Sequence, residues 1–162
     1  DTANGQSQGV IDLVRRLKAD ESFAHIDIIG GNVATREGAQ ALIDAGVDAI
    51  HCSQRRILEP EFPDIDGPNG LNFAGWVKKL TGVPTIAVGS VGLSSEFTGA
   101  FRGEGSAAGK LDETIDRLDR GEFDLVAVGR AILQDPEWVL KVKAGKFSEL
   151  RDYDAAALQT YY

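Results

Sequence analysis

The sequence lacks several features that define whole classes of protein. It has one cysteine, Cys52, which excludes an internal disulfide and any metal site built from several cysteines. It has no run of 18 apolar residues that would predict a membrane span, and no recognisable secretory signal. With 17 Lys and Arg against 25 Asp and Glu, it also lacks the basic stripe of a nucleic-acid-binding protein. These absences predict a cytoplasmic protein that binds neither membrane nor nucleic acid.

Methionine is absent as well, even from position 1, and this favours a fragment or a processed chain. The length of 162 residues fits one domain with a core of ordinary size. The formal net charge of −8 favours solubility. An anionic ligand would therefore have to be held by backbone amides and a few arginines.

What is present is an alternation of short apolar runs with amphipathic helical segments. The runs at 25–32, 47–52, 83–90 and 122–130 predict four strands. These runs are nearly continuous and apolar on both faces, as parallel strands covered by helices are. The pattern fits either a doubly wound open sheet or part of a (βα)8 barrel. A whole barrel needs about 250 residues, so four strands would make half of one.

Strand ends are where ligands bind in both of these folds. Gly89, Ser90 and Val91 follow the third predicted strand, and Gly129 and Arg130 follow the fourth. Glycine at such turns lets backbone N–H groups approach a phosphate, and Arg130 can add a charge-assisted contact. The alternative is a pair of tight turns that need glycine for their geometry alone. No cluster predicts a metal site.

The segment HCSQRR (51–56) gathers reactive residue types at the end of the second strand. His51 and Cys52 alternate along the strand, so they should face opposite sides. Cys52 is either a small core residue or a nucleophile, and His51 either packs or contacts a ligand. Arg55 and Arg56 either hold an anionic substrate or form a salt-bridged loop with Glu59 and Glu61.

Two family resemblances follow from longer motifs. DTANGQSQGV, with GGNVAT some twenty residues later, makes residues 1–50 resemble the IMP dehydrogenase and GMP reductase family. That resemblance implies that Asp1, Gly30, Gly31 and Asn32 line a nucleotide and nicotinamide pocket. The family's cysteine-bearing loop pattern is missing around Cys52.

Residues 51–162 resemble the Old Yellow Enzyme family of flavin oxidoreductases, through HCSQRR, NGLNFAGWVKKLTGVPTIAVGSVGL and FDLVAVGRAILQDPEWVLKV. This second resemblance implies the C-terminal half of a TIM barrel. It also implies FMN as cofactor, with its phosphate on Gly89, Ser90, Val91, Gly129 and Arg130, and NAD(P)H as co-substrate. The family's catalytic first half is missing from the chain.

Together, the resemblances predict a mosaic half-barrel domain over residues 1–162, with a seam near residue 50. The expected function is an FMN-binding, ene-reductase-type module that is incomplete for catalysis alone. The alternatives are a nucleotide oxidoreductase of the IMP dehydrogenase and GMP reductase type, or a non-catalytic recombined or engineered scaffold. His51 and Arg55 are further candidate ligand contacts. Open sheet edges predict either a homodimer that closes a barrel or a missing N-terminal half.

Overall fold

The computed structural model describes residues 5–31, 33, 35–109 and 111–159. Its strands are β1 Ile29–Gly31, β2 Ala49–Ser53, β3 Thr85–Val88 and β4 Leu125–Val126. Its α-helices are α1 Gln8–Ala19, α2 Arg36–Ala45, α3 Pro63–Asp66, α4 Phe73–Thr81, α5 Asp112–Asp119, α6 Arg130–Gln134 and α7 Trp138–Lys143. Short 3₁₀ helices lie at Glu21–Phe23, Phe97–Arg102, Phe147–Glu149 and Ala155–Leu158. Among the described residues, no helix is long and apolar enough to cross a membrane.

The four strands form one parallel sheet in the order β1-β2-β3-β4, as the sequence predicts. One face of the sheet is closed by helices, and Ile50, Cys52 and Ala87 are fully buried on it. The opposite face is open, since Ile29 is 56% exposed and Leu125 is 57% exposed. Helices on one face only are typical of a segment of a barrel wall and not of a doubly wound sheet.

Capping residues fix the ends of several helices. The Thr35 hydroxyl accepts a hydrogen bond from the Gly38 N–H at 3.0 Å and so begins α2. Gly46 ends that helix with a φ of +103°, a value that glycine adopts without the strain a side chain would cause. Asn72 begins α4 by accepting from the Gly75 N–H at 2.8 Å, while its amide donates to the Ile57 carbonyl at 2.8 Å.

The fourth βα unit differs from the sequence-based expectation. Strand β4 has two residues where the apolar run predicts nine, and the chain turns into α6 directly after it. Asp135 ends α6, and α7 begins at Trp138. The Asp135 carboxylate is 1% exposed and lies 2.7 Å from the Lys141 ammonium. The other carboxylate oxygen accepts from the Glu137 N–H at 3.3 Å, so Asp135 connects the end of α6 to the start of α7.

A buried arginine ties α5 to the loops on either side of α3. Arg117 is 3% exposed and donates to the carbonyls of Gly70 at 3.2 Å and Leu58 at 3.3 Å. It also pairs with Glu113 at 3.0 Å and with Glu122 at 3.6 Å. A buried guanidinium stabilises the fold only while it keeps these partners. Removing the Arg117 side chain would leave their polar groups without hydrogen bonds.

Replacing Arg117 should therefore destabilise the domain far more than replacing a surface arginine. We expect Arg117→Ala to lower the free energy of unfolding by about 3 kcal/mol. Arg120→Ala is the matched control, because Arg120 pairs with the same Glu122 but is 57% exposed, and its loss should cost only a small fraction of that amount. Urea denaturation measures both, and equal losses would contradict the structural role of Arg117.

Candidate functional site

A cavity of about 300 Å³ opens at the carboxyl ends of β3 and β4. Its lining includes all five residues that the sequence singles out for phosphate binding, namely Gly89, Ser90, Val91, Gly129 and Arg130. Ser53 and Gln54, at the end of β2, complete the wall on one side. The strand-end rule thus places residues that are up to 41 positions apart in sequence around one concave space.

Backbone donors around this cavity are unused. Within the described residues, the N–H groups of Gly89, Ser90, Val91, Gly129 and Arg130 have no hydrogen-bond acceptor. Backbone N–H groups in folded proteins are usually paired with protein or water, so a cluster of open ones is a site for an acceptor from solution. A phosphate, with several acceptor oxygens, fits such a cluster.

The two glycines at the cavity have different physical reasons to be glycine. Gly89 has a φ of +152°, and an added Cβ would lie 2.7 Å from the Gln54 carbonyl oxygen and 2.9 Å from the Ile57 nitrogen. Packing and backbone conformation therefore require Gly89 with or without a ligand. At Gly129 an added Cβ meets no atom within 4 Å. The fold therefore leaves room there, although the Gly129 φ of −106° and ψ of −95° lie outside the regions that other residues prefer.

Arg130 is held by the protein itself. Its guanidinium donates to the carbonyls of Glu96 at 3.1 Å and Ser95 at 2.9 Å, and to the Ser90 hydroxyl at 3.1 Å. It also lies over the Tyr153 ring at 5.4 Å, a cation–π distance. Burial lowers the pKa of Arg130 from its ordinary value. Arg130 thus clamps the loop after β3 beside the cavity, a role that strand-end reasoning does not predict.

The HCSQRR segment is a packed connection between β2 and β3. The Gln54 amide oxygen accepts from the Phe73 N–H at 3.0 Å, and its nitrogen donates to the Arg56 carbonyl at 2.6 Å. Arg56 lies 3.5 Å from Glu59, as the salt-bridged interpretation expects, and donates to the Ser94 carbonyl at 2.6 Å. Arg55 is 70% exposed and pairs with Glu96 at 3.4 Å, outside the lining of the cavity.

His51 and Cys52 lie on opposite faces of the sheet, as their alternation predicts. Cys52 is fully buried in the core. Burial raises the pKa of its thiol to about 12, so the thiolate form required of a nucleophile is disfavoured. His51 is half-buried on the open face and lines a second cavity. In the described part of the chain, no group of three or more His, Cys, Asp or Glu side chains could hold a metal ion.

The second cavity, of about 480 Å³, brings together three of the other candidate residues: Gly30, Gly31 and His51. Of the other three, Asp1 and Asn32 lie outside the described residues, and Arg55 lines neither cavity. Ser53 lines both cavities, so the two spaces adjoin at the end of β2. The position of Ser53 could have been inferred from the strand-end rule, but its connecting role depends on three-dimensional register.

Comparisons with known proteins point to one enzyme family. A family profile described as "IMP dehydrogenase / GMP reductase domain" matches residues 1–54. The chain is 37% identical over 109 residues to inosine-5′-monophosphate dehydrogenase of Bifidobacterium longum, covering 62% of this chain and 19% of that protein. It is 32% identical over 143 residues to GMP reductase of Leishmania donovani, covering 83% of this chain and 27% of that protein.

Comparison with solved structures points to the same enzyme family. GMP reductase C318A from Trypanosoma brucei, solved in complex with guanosine 5′-monophosphate, superposes with a TM-score of 0.50 and 29% identity, covering 80% of this chain and 24% of that chain. The half-barrel prediction is thereby confirmed as a partial TIM barrel. The chain spans about a fifth to a quarter of the length of these relatives.

The predicted flavin cofactor is wrong. Because 83% of 162 residues is about 134, at least about 84 residues of the match to GMP reductase lie beyond residue 50. Similarity to this nucleotide oxidoreductase therefore continues through the segment expected to be flavin-binding. The comparisons support the resemblance to IMP dehydrogenase and GMP reductase, whose cofactor is NAD(P)H, and give no support for FMN or for an Old Yellow Enzyme segment.

Burial of Cys52 predicts an inert thiol. With a pKa of about 12, only about one thiol in ten thousand is ionised at pH 8. Iodoacetamide should leave the folded protein unlabelled for hours and label it within minutes in guanidinium chloride, as measured by mass spectrometry. Since folding raises the pKa of the Cys52 thiol, its contribution to the free energy of unfolding is complete below pH 9. That contribution declines between pH 9 and about 12, where the thiol ionises more readily in the unfolded chain. Rapid labelling of the folded chain would contradict the burial.

Proposed function

We propose that this chain forms part of a nucleotide oxidoreductase barrel and binds the 5′-phosphate of a purine nucleoside monophosphate. The phosphate would occupy the cavity at the ends of β3 and β4, on the N–H groups of Gly89, Ser90, Val91, Gly129 and Arg130. The observation that carries this proposal is the cluster of unused backbone donors around a concave space. The guanosine 5′-monophosphate bound to the similar Trypanosoma brucei enzyme supports the choice of ligand.

The rest of the nucleotide would extend past Ser53 toward the second cavity. Gly31, His51 and Ser53 form the rim of this second cavity, at the carboxyl ends of β1 and β2. A backbone edge, an imidazole and a hydroxyl there offer contacts to a polar ring. The proposed redox partner is NAD(P)H, which carries a hydride on its nicotinamide, and these rim residues would face the reacting rings.

The chain's own residues bind and orient but do not attack the substrate. Its single thiol lies in the core with a raised pKa, on the face of the sheet away from both cavities. Attack on the substrate by a thiol would therefore require a group from outside this chain. We accordingly expect nucleotide binding without turnover by the chain alone.

A methyl group at Gly129 tests the phosphate site. Gly129→Ala places a methyl group where no atom lies within 4 Å, so it should displace the ligand. Because the Gly129 φ of −106° and ψ of −95° lie outside the regions that alanine prefers, circular dichroism is used to select conditions in which the variant is folded. Loss of a charge-assisted hydrogen bond reduces the binding free energy by about 1.5–3 kcal/mol. The dissociation constant for GMP should therefore rise at least about tenfold. Titration calorimetry with GMP, and with inorganic phosphate as competitor, measures it.

Gly9→Ala is the matched control, because Gly9 also has open space around it but lies in α1, away from the cavity. It should bind GMP as the unmodified chain does. If Gly129→Ala and Gly9→Ala bind equally well, the phosphate is not where we place it. If the unmodified chain binds no nucleotide at millimolar concentration, the proposed function fails as a whole.

Glu96 provides a second test, since it pairs with Arg55 and its carbonyl holds Arg130. Hydrogen bonding from Thr98, and then the charges of Arg55 and Arg56, lower the pKa of Glu96, so it is anionic at neutral pH and opposes a phosphate. Glu96→Gln should tighten GMP binding by about two- to fivefold, the size of one exposed charge pair.

Glu104→Gln removes an equal charge from the same loop, where Glu104 pairs with Arg102 at 2.8 Å. This control should leave GMP affinity unchanged when both variants are titrated at the same ionic strength. A similar gain in both would mean that net charge alone governs binding, and a loss in Glu96→Gln would contradict the predicted repulsion.

A further inference from the structure

The position of Arg130 depends on a second part of the loop between β3 and α5. The two carbonyl groups that accept from its guanidinium belong to Ser95 and Glu96. Ser106, further along the same loop, is buried, and its hydroxyl accepts from the Ser95 N–H at 3.0 Å. The Ser94 hydroxyl lies 3.4 Å from the same oxygen. The acceptors of Arg130 are therefore held in place by Ser106.

A short segment after α7 holds Ser106 in turn. The Ser106 N–H donates to the Tyr153 carbonyl at 2.8 Å, and the Tyr153 N–H donates to the Ser106 carbonyl at 2.7 Å. The next residue, Asp154, donates its N–H to the side-chain oxygen of Gln134 at 2.9 Å. Because Gln134 lies in α6, this segment joins the loop after β3 to the helix that begins at Arg130.

The Tyr153 side chain contacts Arg130 through its ring and not through its hydroxyl. The guanidinium carbon lies 5.4 Å from the ring centroid, and Tyr153 is 2% exposed. A ring face shielded from water attracts a guanidinium more strongly than an exposed one. The Tyr153 hydroxyl is buried and has no hydrogen-bond partner in the part of the chain that the structure describes. Tyr153 is also absent from the lining of the cavity at β3 and β4.

We infer that Tyr153 is a positioning residue for the candidate phosphate site. Its ring orients the Arg130 guanidinium, while its backbone holds the loop that carries the acceptors of that guanidinium. Arg130 in turn bonds to the Ser90 hydroxyl, so the two glycine turns keep facing one cavity. Tyr153 thus acts on a ligand only through Arg130, and this effect on binding rests on the proposed function. Phenylalanine should replace Tyr153 without loss, whereas leucine should not.

The rotation of the Arg130 guanidinium tests the positioning without any nucleotide. Its side-chain N–H signals are followed by ¹⁵N NMR, under conditions in which circular dichroism shows each variant folded. Tyr153→Phe should keep the rotation as slow as in the unmodified chain. Tyr153→Leu should accelerate it at least about threefold, because the cation–π contact is lost. Equal rotation rates in all three chains would overturn the inference.

Phe123→Leu is the matched control. Phe123 is another buried aromatic residue, 1% exposed, and it precedes β4 at the end of that strand opposite to Arg130. The substitution should lower the stability of the fold and leave the rotation of the Arg130 guanidinium unchanged. An equal acceleration in Phe123→Leu and Tyr153→Leu would mean a general loosening of the core and would also overturn the inference.

Titration with GMP tests the effect on the site. Tyr153→Leu should weaken GMP binding about three- to tenfold, and Tyr153→Phe and Phe123→Leu should bind as the unmodified chain does. In an Arg130→Ala background, Tyr153→Leu should cause no further loss, because its effect passes through Arg130. Additive losses would contradict that route, and weaker binding by Tyr153→Phe would mean that the hydroxyl contacts the ligand. Absence of GMP binding by the unmodified chain would instead refute the proposed function, while the rotation rates still decide the positioning of Arg130.

Discussion

The close contact between Gly89 and the loop after β2 governs the site. The Ile57 N–H donates to the Gly89 carbonyl at 2.8 Å, and the Gln54 N–H donates to Val88 at 3.3 Å. No side chain fits between these backbones, since a Cβ at Gly89 would be 2.7 Å from the Gln54 oxygen. This contact fixes where β2 and β3 end relative to each other. It thereby sets the shape of the cavity, and the HCSQRR segment packs behind the cavity wall.

Arg130 extends that support to the fourth strand. Its bonds to Ser90, Ser95 and Glu96 join the start of α6 to the loop after β3, so the two glycine turns face a common space. The N–H groups left open around that space are a consequence of the same packing. Phosphate binding and loop order should therefore be coupled, with Arg130 contributing mainly by positioning the loop.

Much of the architecture follows from local sequence patterns. The βα alternation and the opposite orientations of His51 and Cys52 each depend on neighbouring residues, and each is found. The strand-end rule also places the five glycine-turn residues around one cavity. Contacts distant in sequence were not predictable in this way. The burial of Arg117, the Asp135–Lys141 pair and the clamp by Arg130 depend on which loops meet in space. The flavin assignment failed because short motifs near strand ends are shared among phosphate-binding barrels.

Phosphate binding at the proposed site depends on backbone donors, and these can be observed directly. Amide chemical shifts of ¹⁵N-labelled chain, followed during titration with GMP, report each N–H group separately. We predict that the amides of Gly89, Ser90, Val91, Gly129 and Arg130 shift together and saturate with one dissociation constant, while that of Gly145 stays in place. Unchanged shifts at these five amides at saturating GMP, or shifts confined to another surface, would contradict the proposed site.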